Sequence, residues 1–381
     1  MAVGETVVEW ERIPSYFEFI VGIYRYVVES FNQLKDPDYD FPKGTWRDIK
    51  SYWHFNTSCI LTILLMAGAW TIVRHFSTEW IFKPVGKLFA LSPHNQAKMP
   101  ESAWKFVYSS CAWTSTVYVV CLSGRYQFFH RPSMVWDNWN INTPIPTDIY
   151  ILYIIQCSFY LHSVYATLFL DTWRKDSIVL LIHHVITLVL VSGSLALRYQ
   201  NIGILVLLLH DICDVQLEFT KLNVYFKIQG GRLKKHHEHI ANFSFCIFAL
   251  TWFVSRLYWF PLKVLYVSSQ NLVDRKISIP FATFLNFLLW VLLAMNIYWF
   301  MLVLGFLFKV ATGQMQEVDD TREYDVLEKI EKKGAEHSCQ QNGDICHNVQ
   351  SDPHFVSSVR SRKLVQTKTV LANGKAVKAG H

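Results

Sequence analysis

Long apolar runs, separated by short segments with charged residues and proline, occupy most of the first 310 residues. A helix needs about 20 mostly apolar residues to cross a membrane. We therefore predict an all-α polytopic membrane protein with about seven transmembrane helices. Pro261 lies inside the sixth span, where its ring and missing N–H predict a kink or a shorter helix. The predicted spans are residues 52–73, 104–123, 148–170, 177–197, 202–221, 241–266 and 280–308.

The composition supports a membrane protein. Of the 381 residues, 51% are hydrophobic, 15% are aromatic and only 17% are charged, which is less charge than a soluble protein of this size carries. This many aromatic residues fit belts at membrane interfaces. The net charge of +6 is modest, and we expect no nucleic-acid partner. None of the eight Cys belongs to a C-x-x-C pair, which disfavours a disulfide framework or a structural zinc site.

Lys and Arg are distributed unevenly between the predicted loops. The loops after the first, third and fifth spans are richer in these residues than the loops between them. By the positive-inside rule the richer loops are cytosolic, which places the N-terminus in the lumen and the C-terminus in the cytosol. The predicted segments are a lumenal or interfacial segment 1–51, the first span 52–73, a cytosolic loop 74–97, a six-span domain 98–311, and a largely disordered cytosolic tail 312–381.

The fifth span carries five ionisable groups within LLLHDICDVQLEFTK, Leu207–Lys221. A helix turns about 100° per residue, and this spacing puts all five on one face about 100° wide. A charge that faces lipid at mid-bilayer costs at least ~2.5 kcal/mol, so this face must lie against other helices or a water-filled cavity. The five residues are His210, Asp211, Asp214, Glu218 and Lys221.

The third and fourth spans carry polar stripes of their own. In the fourth span, Thr187 lies about 40° from His183, and His184 lies about 100° from it. In the third span, polar residues recur at helical spacing. These residues are Tyr153, Gln156, Tyr160, Ser163 and Thr167. We predict that the three stripes meet in a shared interior.

The depths of these residues match if the fourth and fifth spans are antiparallel neighbours. At 1.5 Å per residue, His183 and Asp214 lie ~9 Å and ~10 Å from the cytosolic ends of their spans. An imidazole beside a carboxylate is suited to general-base or nucleophilic chemistry. For any single residue, interhelical hydrogen bonding without chemistry is the alternative, and we assign such a structural role to His162.

The segment His183–Tyr225 contains paired His, then a His-Asp pair with a second Asp three residues later, and polar residues after them. It resembles the Lag1 motif of the ceramide synthases, which lies inside their TLC domain. KMPESAWKF, DTWRKD and RLYWFPLKVLY also resemble that family, and the similarity covers about residues 98–325. Only about 30 residues separate the first two spans, so the chain resembles members that lack a homeobox-like insert there.

The resemblance implies the activity, the partners and the location. It implies N-acylation of sphinganine and sphingosine by a long-chain acyl-CoA, with stearoyl-CoA preferred, to give dihydroceramide or ceramide and CoA. It implies an endoplasmic reticulum membrane protein in contact with membrane lipids, with no metal and no cofactor apart from acyl-CoA as co-substrate. A homodimer or a heterodimer with related synthases is open. Acyl-length choice is expected to depend on the loop before the last span, Val267–Ser278.

The stripes and the resemblance together give the candidate site. The predicted catalytic residues are His183, His184, His210, Asp211 and Asp214. The predicted substrate-binding residues are Tyr160, Ser163, Thr187, Glu218 and Lys221.

Two routes to the amide are open. In the favoured route His183 attacks the thioester and forms an acyl-imidazole, CoA leaves, and the amine then attacks. In the other route the same His acts only as a base. His184 is the alternative nucleophile, and His210 with Asp211 would be a second base or the amine-binding pair.

Two other functions fit parts of the sequence. A di-metal hydroxylase or desaturase also needs many His, and His236–His239, interpreted as a solvated loop segment, adds to the number. The His boxes of such enzymes repeat at i+3 or i+4, whereas His183 and His184 are adjacent and have no i+4 partner. The other candidate is a non-catalytic TLC-fold lipid-handling or carrier protein, although the inverted repeats common in carriers are not visible.

Overall fold

The structure is a computed structural model that covers most of the helical part of the chain. The residues that it describes are 10–34, 51–52, 54–137, 139–140, 142–274 and 281–312. The predicted cytosolic tail lies outside them except for residue 312, and residues 275–280 of the predicted acyl-length loop lie outside them too.

Nearly all of the described residues are helical. The α-helices are α1 (Tyr16–Leu34), α2 (Thr57–Ser77), α3 (Lys83–Leu88), α4 (Pro93–Val117), α5 (Thr147–Phe169), α6 (Ser177–Ala196), α7 (Gln200–Phe226), α8 (Lys235–Trp252), α9 (Tyr266–Asp274) and α10 (Ala282–Ala311). π-Helical segments continue α2, α4 and α8 at Thr78–Phe82, Tyr118–Leu122 and Phe253–Leu265, and a short 3₁₀-helix spans Pro132–Trp136. A hairpin of β1 (Ile228–Gln229) and β2 (Arg232–Leu233) connects α7 to α8.

The helices confirm an all-α polytopic membrane protein. Within the described residues, five helices are long and apolar enough to cross a membrane: Thr57–Leu88, Thr147–Phe169, Ser177–Ala196, Lys235–Gln270 and Ala282–Val310. The two other predicted spans coincide with α4 and α7. These helices have 25 and 27 residues, so they exceed the length that a bilayer requires, but they carry more polar and charged groups.

Most of the residues in the predicted cytosolic loop 74–97 are helical. The first span continues without interruption to Leu88, through the π-helical segment Thr78–Phe82. Pro84 follows this segment after one residue, Lys83. Proline removes one helical hydrogen bond and clashes with the carbonyl four residues earlier, and a wider π turn before it gives the ring room. The true connection is short, because α4 already begins at Pro93 with Ser92 as its N-cap.

Pro261 does not shorten the sixth span. The chain changes from α-helix to π-helix at Phe253 and returns to α-helix at Tyr266, whose N–H donates to the carbonyl of Pro261. Widened turns absorb the missing proline donor, and they recur at functional sites in membrane and soluble helices. The continuous helix therefore reaches Gln270.

The fourth and fifth predicted spans are antiparallel neighbours, as expected. α6 and α7 are in contact and are joined by only three residues, with Arg198 in the left-handed region at φ 65°. Gly203 in α7 permits close packing beside this turn, because a Cβ there would collide with the hydroxyl of Tyr153 on α5. That hydroxyl donates to the carbonyl of Gln200 at 2.9 Å and accepts from Ser194 Oγ at 3.0 Å.

The basic loops that were predicted to share one side do meet at one end of the bundle. A buried charge cluster joins α2, α4 and the α5–α6 connection: Asp171 pairs with Arg74 at 2.6 Å and with Lys105 at 2.8 Å. Glu101 pairs with Lys105 at 2.7 Å and with Arg174 at 3.3 Å.

The opposite end of the bundle is closed by the N-terminal segment and the α4–α5 connection. The N–H of Glu11 donates to the carbonyl of His130, and Lys263 Nζ donates to the carbonyl of Phe129. α1 packs on this end through the hydroxyl of Tyr16, which donates to the carbonyl of Leu257 at 2.9 Å. Much of its exposed surface is apolar.

Candidate active site

A cavity lies between α5, α6, α7, α10 and the π-helical segment Phe253–Leu265. Most of its wall is apolar, and leucine, isoleucine and valine side chains of α6, α7 and α10 contribute to it. Other parts of the wall are polar. One group of polar side chains comes from Tyr160, His183, Thr187, His210, Asp214 and Arg256. Further polar side chains are those of Ser194, Tyr199, Ser268 and Asn286. We call this cavity the chamber.

His183 is the imidazole most available to a molecule in the chamber. Its Nδ1 is buried and has no hydrogen-bond partner among the described residues, and the same holds for Thr187 Oγ1 one turn further on. The ring packs edge-on against Trp299, with 5.2 Å between centroids. Because buried polar atoms are almost always paired, two unpaired ones on one wall indicate a place where a substrate supplies the partner.

His210 also lines the chamber, but the protein already uses both of its ring nitrogens. Nδ1–H donates to the carbonyl of Val206 at 2.9 Å, and Nε2 accepts from Asn296 Nδ2 at 3.0 Å. This pattern fixes the neutral ring in one tautomer and one orientation. A second-base role for His210 would require the contact with Asn296 to break, so the geometry favours a structural role.

Asp214 lies beside His210 and is held by Arg256. Arg256 Nη2 donates to Asp214 Oδ1 at 2.9 Å and to the carbonyl of His210 at 2.8 Å, and its guanidinium lies 4.0 Å from the ring centre of Trp252. The Arg256 side chain is 4% exposed, whereas that of Asp214 is 45% exposed and lines the chamber. The carboxylate is therefore oriented by protein and open to a ligand.

Arg256 and Asn296 are absent from the predicted site. Each shares its predicted span with few other polar residues. Lys263 is the one other charged residue of the sixth span, and Asn286 precedes Asn296 in the seventh. The signal that could have found Arg256 is its charge inside the sixth predicted span, because ionisable residues at membrane depth are functional by default.

Asp211 does not line the chamber. Gln156 Nε2 donates to Asp211 Oδ2 at 2.7 Å, and the hydroxyl of Tyr108 donates to Gln156 Oε1 at 3.3 Å. The carboxylate thus faces α4 and α5, whereas His210 faces Asn296 on α10. The predicted amine-binding pair is not brought together, because consecutive residues of a helix point about 100° apart.

His184 is directed away from the chamber by the same 100° rotation. Its Nδ1 lies 3.2 Å from the hydroxyl of Thr167 on α5, and its ring centre lies 6.2 Å from that of Tyr160. Of the two adjacent imidazoles, only His183 lines the chamber.

The predicted substrate-binding residues are divided. Tyr160 and Thr187 line the chamber, and Ser163, Glu218 and Lys221 do not. Lys221 Nζ donates to Glu218 Oε1 at 2.8 Å, near the end of the bundle that holds the buried charge cluster. The substrate-binding roles of Ser163, Glu218 and Lys221 stay predictions.

His236–His239 is not a loop segment, because α8 begins at Lys235. His237 Nδ1 hydrogen-bonds to Asn223 Oδ1 at 2.9 Å, which anchors the first turn of α8 to α7. His162, as expected, is packed: it is 2% exposed and bonds to Thr71 Oγ1 at 2.9 Å. No group of three or more His, Cys, Asp or Glu in the described residues is placed to hold a metal ion, and metal-free chemistry remains a prediction.

A largely apolar chamber inside a membrane helix bundle, with an unpaired imidazole and an oriented carboxylate on its wall, fits an enzyme that acts on lipid substrates. Comparison with known proteins agrees. Residues 98–305 match the TLC domain family. Human Ceramide synthase 1 is 48% identical over 84% of this chain and 90% of its own length, and the mouse Ceramide synthase 1 is 42% identical over the same shares. Bovine Ceramide synthase 4 is 32% identical over 67% of this chain and 62% of its own.

The chain belongs to the ceramide synthase family. It is a membrane acyltransferase of sphingolipid biosynthesis, and the resemblance of the Lag1-like segment to that family is confirmed.

Proposed function

We propose that this chain N-acylates sphinganine and sphingosine with a long-chain acyl-CoA, preferring stearoyl-CoA, in the endoplasmic reticulum membrane. The observation that carries the proposal is the chamber, because its largely apolar wall suits a fatty acyl chain and its unpaired polar atoms offer partners to a substrate. The names of the relatives support ceramide as the product. The lumenal N-terminus and cytosolic C-terminus belong to the same proposal.

The reaction replaces a thioester with an amide in two steps. His183 attacks the acyl-CoA carbonyl, the C–S bond breaks, and CoA leaves as the thiol with the proton from the imidazolium. The sphingoid amine then attacks the acyl-imidazole, the C–N bond to His183 breaks, and the amine proton returns to the ring. Division into two steps means that CoA and the sphingoid base need not occupy the narrow chamber together.

Asp214 would serve the amine. The sphingoid amine arrives mostly as an ammonium, which an oriented carboxylate attracts and which must lose a proton before it attacks. Arg256 keeps Asp214 in place, and Thr187 and Tyr160 offer hydroxyl groups near the carbonyl. His184 is disfavoured as the nucleophile because it lies outside the chamber wall.

A single preparation tests both activity and route. Full-length protein is purified in detergent and incubated with stearoyl-CoA, with and without sphinganine, while free CoA and the amide are quantified. We expect CoA release in step with amide formation, and an intact mass increased by one acyl group when sphinganine is left out.

The matched variants are His183→Ala and His184→Ala. We expect the first to abolish both the adduct and turnover, and the second to retain the adduct. Turnover by the wild type without any adduct under rapid quench would exclude the covalent route, and absence of sphinganine-dependent CoA release would exclude the proposed function in favour of a lipid carrier.

A further inference from the structure

The reaction in the chamber leaves one proton behind at each turnover. A sphingoid ammonium and a thioester become an amide, a thiol and one proton, whichever of the two routes operates. In the two-step route the proton of the His183 ring leaves with CoA, and the second amine proton restores it. The first proton of the ammonium passes to Asp214 and stays on its carboxyl group. Asp214 must lose this proton before it can serve the next amine, so the chamber needs a proton exit.

Glu218 lies one helical turn beyond Asp214 on α7, toward the end of the bundle that holds the buried charge cluster. Residues four apart on a helix have Cβ atoms about 5–6 Å apart, and these two carboxyl groups interact electrostatically. Glu218 is only 6% exposed. Its Oε1 accepts from Lys221 Nζ at 2.8 Å, whereas its Oε2 is buried and has no hydrogen-bond partner among the described residues. Because buried polar atoms are almost always paired, this oxygen is a place where a proton can be accepted.

Other groups beside Asp214 are less suited to remove the proton. Arg256 has only N–H donors and stays protonated, so it cannot accept one. His210 uses both of its ring nitrogens in hydrogen bonds to protein. The hydroxyl of Tyr160 lines the chamber itself, so a proton passed to it stays inside. Within the part of the chain that the structure describes, Glu218 is the acceptor that the geometry favours.

Beyond Glu218, ionisable groups continue to the charge cluster. Lys221 lies ~10 Å from Asp214 along α7 at 1.5 Å per residue, and its side chain is 13% exposed. On α4, Lys105 interacts electrostatically with Glu218 and pairs with two carboxylates of the cluster. The side chain of Lys105 is 24% exposed. The row of ionisable groups therefore runs from the chamber to side chains that are partly exposed.

We propose that Glu218 is a proton-relay residue that removes the surplus proton from Asp214 after each turnover. The O–H bond at Asp214 breaks, an O–H bond forms at Glu218 Oε2, and the proton then leaves to solvent beside Lys221. The inference rests on the proposed function, since the surplus proton comes from the sphingoid ammonium. This role differs from the substrate-binding role that the sequence predicts for Glu218.

The test follows the first turnover separately from the later ones. Full-length enzyme in detergent is mixed rapidly with stearoyl-CoA and sphinganine, amide is quantified after quenching, and a pH-indicator dye in weakly buffered solution reports proton release. For the wild type we expect one proton per amide. Glu218→Gln should form its first amide at the wild-type rate, because Asp214 begins without the proton. Its later turnovers should be ~100-fold slower, which is the low end of the effect of a positioned proton-transfer group.

Two variants complete the comparison. Glu218→Asp keeps a carboxyl group that is one carbon shorter, and it should recover part of the lost turnover. If Glu218→Gln fails to accumulate, the steady rate of Glu218→Asp should fall more in D₂O than the wild-type rate does. Glu79→Gln is the matched control, because Glu79 also pairs with a lysine of its own helix but has a side chain that is 39% exposed. Its time course should equal that of the wild type.

The outcomes separate the relay from the proposed function. A first amide that is lost in proportion to steady turnover in Glu218→Gln would indicate a structural role and refute the relay alone. A wild-type time course in Glu218→Gln, or equal D₂O effects in Glu218→Asp and the wild type, would refute it as well. A wild type that forms no amide and releases no protons would refute the proposed function.

Discussion

The pair between Arg256 and Asp214 links the stability of the bundle to its chemistry, so it offers a sharp test. Arg256→Leu removes one ion-pair hydrogen bond and one bond to the carbonyl of His210. Breaking a fully buried pair costs about 3–5 kcal/mol. Asp214 is 45% exposed to the chamber, so its charge is partly solvated, and we expect a loss of about 2 kcal/mol.

The assay is thermal unfolding of the purified protein with sphinganine-dependent CoA release measured in parallel. A loss of ~2 kcal/mol lowers the Tm of a chain of this length by about 3 °C, given an unfolding entropy of ~2.1 cal/mol/K per residue. Arg125→Leu is the matched control: it breaks a pair with Asp148 at the same 2.9 Å, but Arg125 is 68% exposed, and we expect a change below ~1 kcal/mol.

A double variant tests whether the side chains of Arg256 and Asp214 are energetically coupled. Arg256→Leu with Asp214→Asn leaves no uncompensated charge, so it should unfold at a higher temperature than Arg256→Leu alone, yet remain inactive. If the two substitutions are additive within ~0.5 kcal/mol, the two side chains are not energetically coupled and the reasoning is refuted.

Two more outcomes follow from buried contacts described above. Gly203→Ala places a methyl group against the hydroxyl of Tyr153, so we expect thermal unfolding at a lower Tm. Combining Gly203→Ala with Tyr153→Phe removes that hydroxyl and should restore part of the lost Tm. A double variant no more stable than Gly203→Ala would contradict the collision. Burial raises the pKa of Asp171, but the paired lysine and arginine outweigh burial and lower it below its usual 3.8. Above the pKa of Asp171 in the unfolded chain, its carboxylate contributes its full stabilisation of the fold. This stabilisation is lost as the pH falls through the lower pKa of the folded state. Asp171→Asn should therefore make the Tm fall less steeply at acid pH.

Hydropathy found the five spans that the described residues support, because the bilayer imposes length and polarity directly on the chain. It missed the helix from Arg74 to Leu88, since charged residues and Pro84 are typical of a loop. Only the structure shows that a π-helical segment lets the helix pass the proline.

The polar stripes of the fourth and fifth predicted spans predicted that His183 and Asp214 face a shared interior, and both line the chamber. The spacing of these residues does not tell which neighbouring helix each polar residue of α7 contacts. Asp211 faces Gln156 while His210 faces Asn296, and these partners belong to different helices whose positions no periodicity in α7 can reveal. Arg256 was missed because its predicted span carries only one other charged residue, Lys263, and two charges do not form a stripe like that of α7.

The distance in sequence between Asp214 and Arg256 has a consequence for biogenesis. The carboxylate leaves the ribosome 42 residues before the guanidinium that neutralises it. During insertion, the Asp214 carboxylate on α7 therefore lacks its cation until α8 and the π-helical segment after it have emerged and packed against α7. A truncated or incorrectly inserted chain would keep this carboxylate unpaired. Quality-control proteins of the membrane could recognise the unpaired charge as a sign of incomplete assembly.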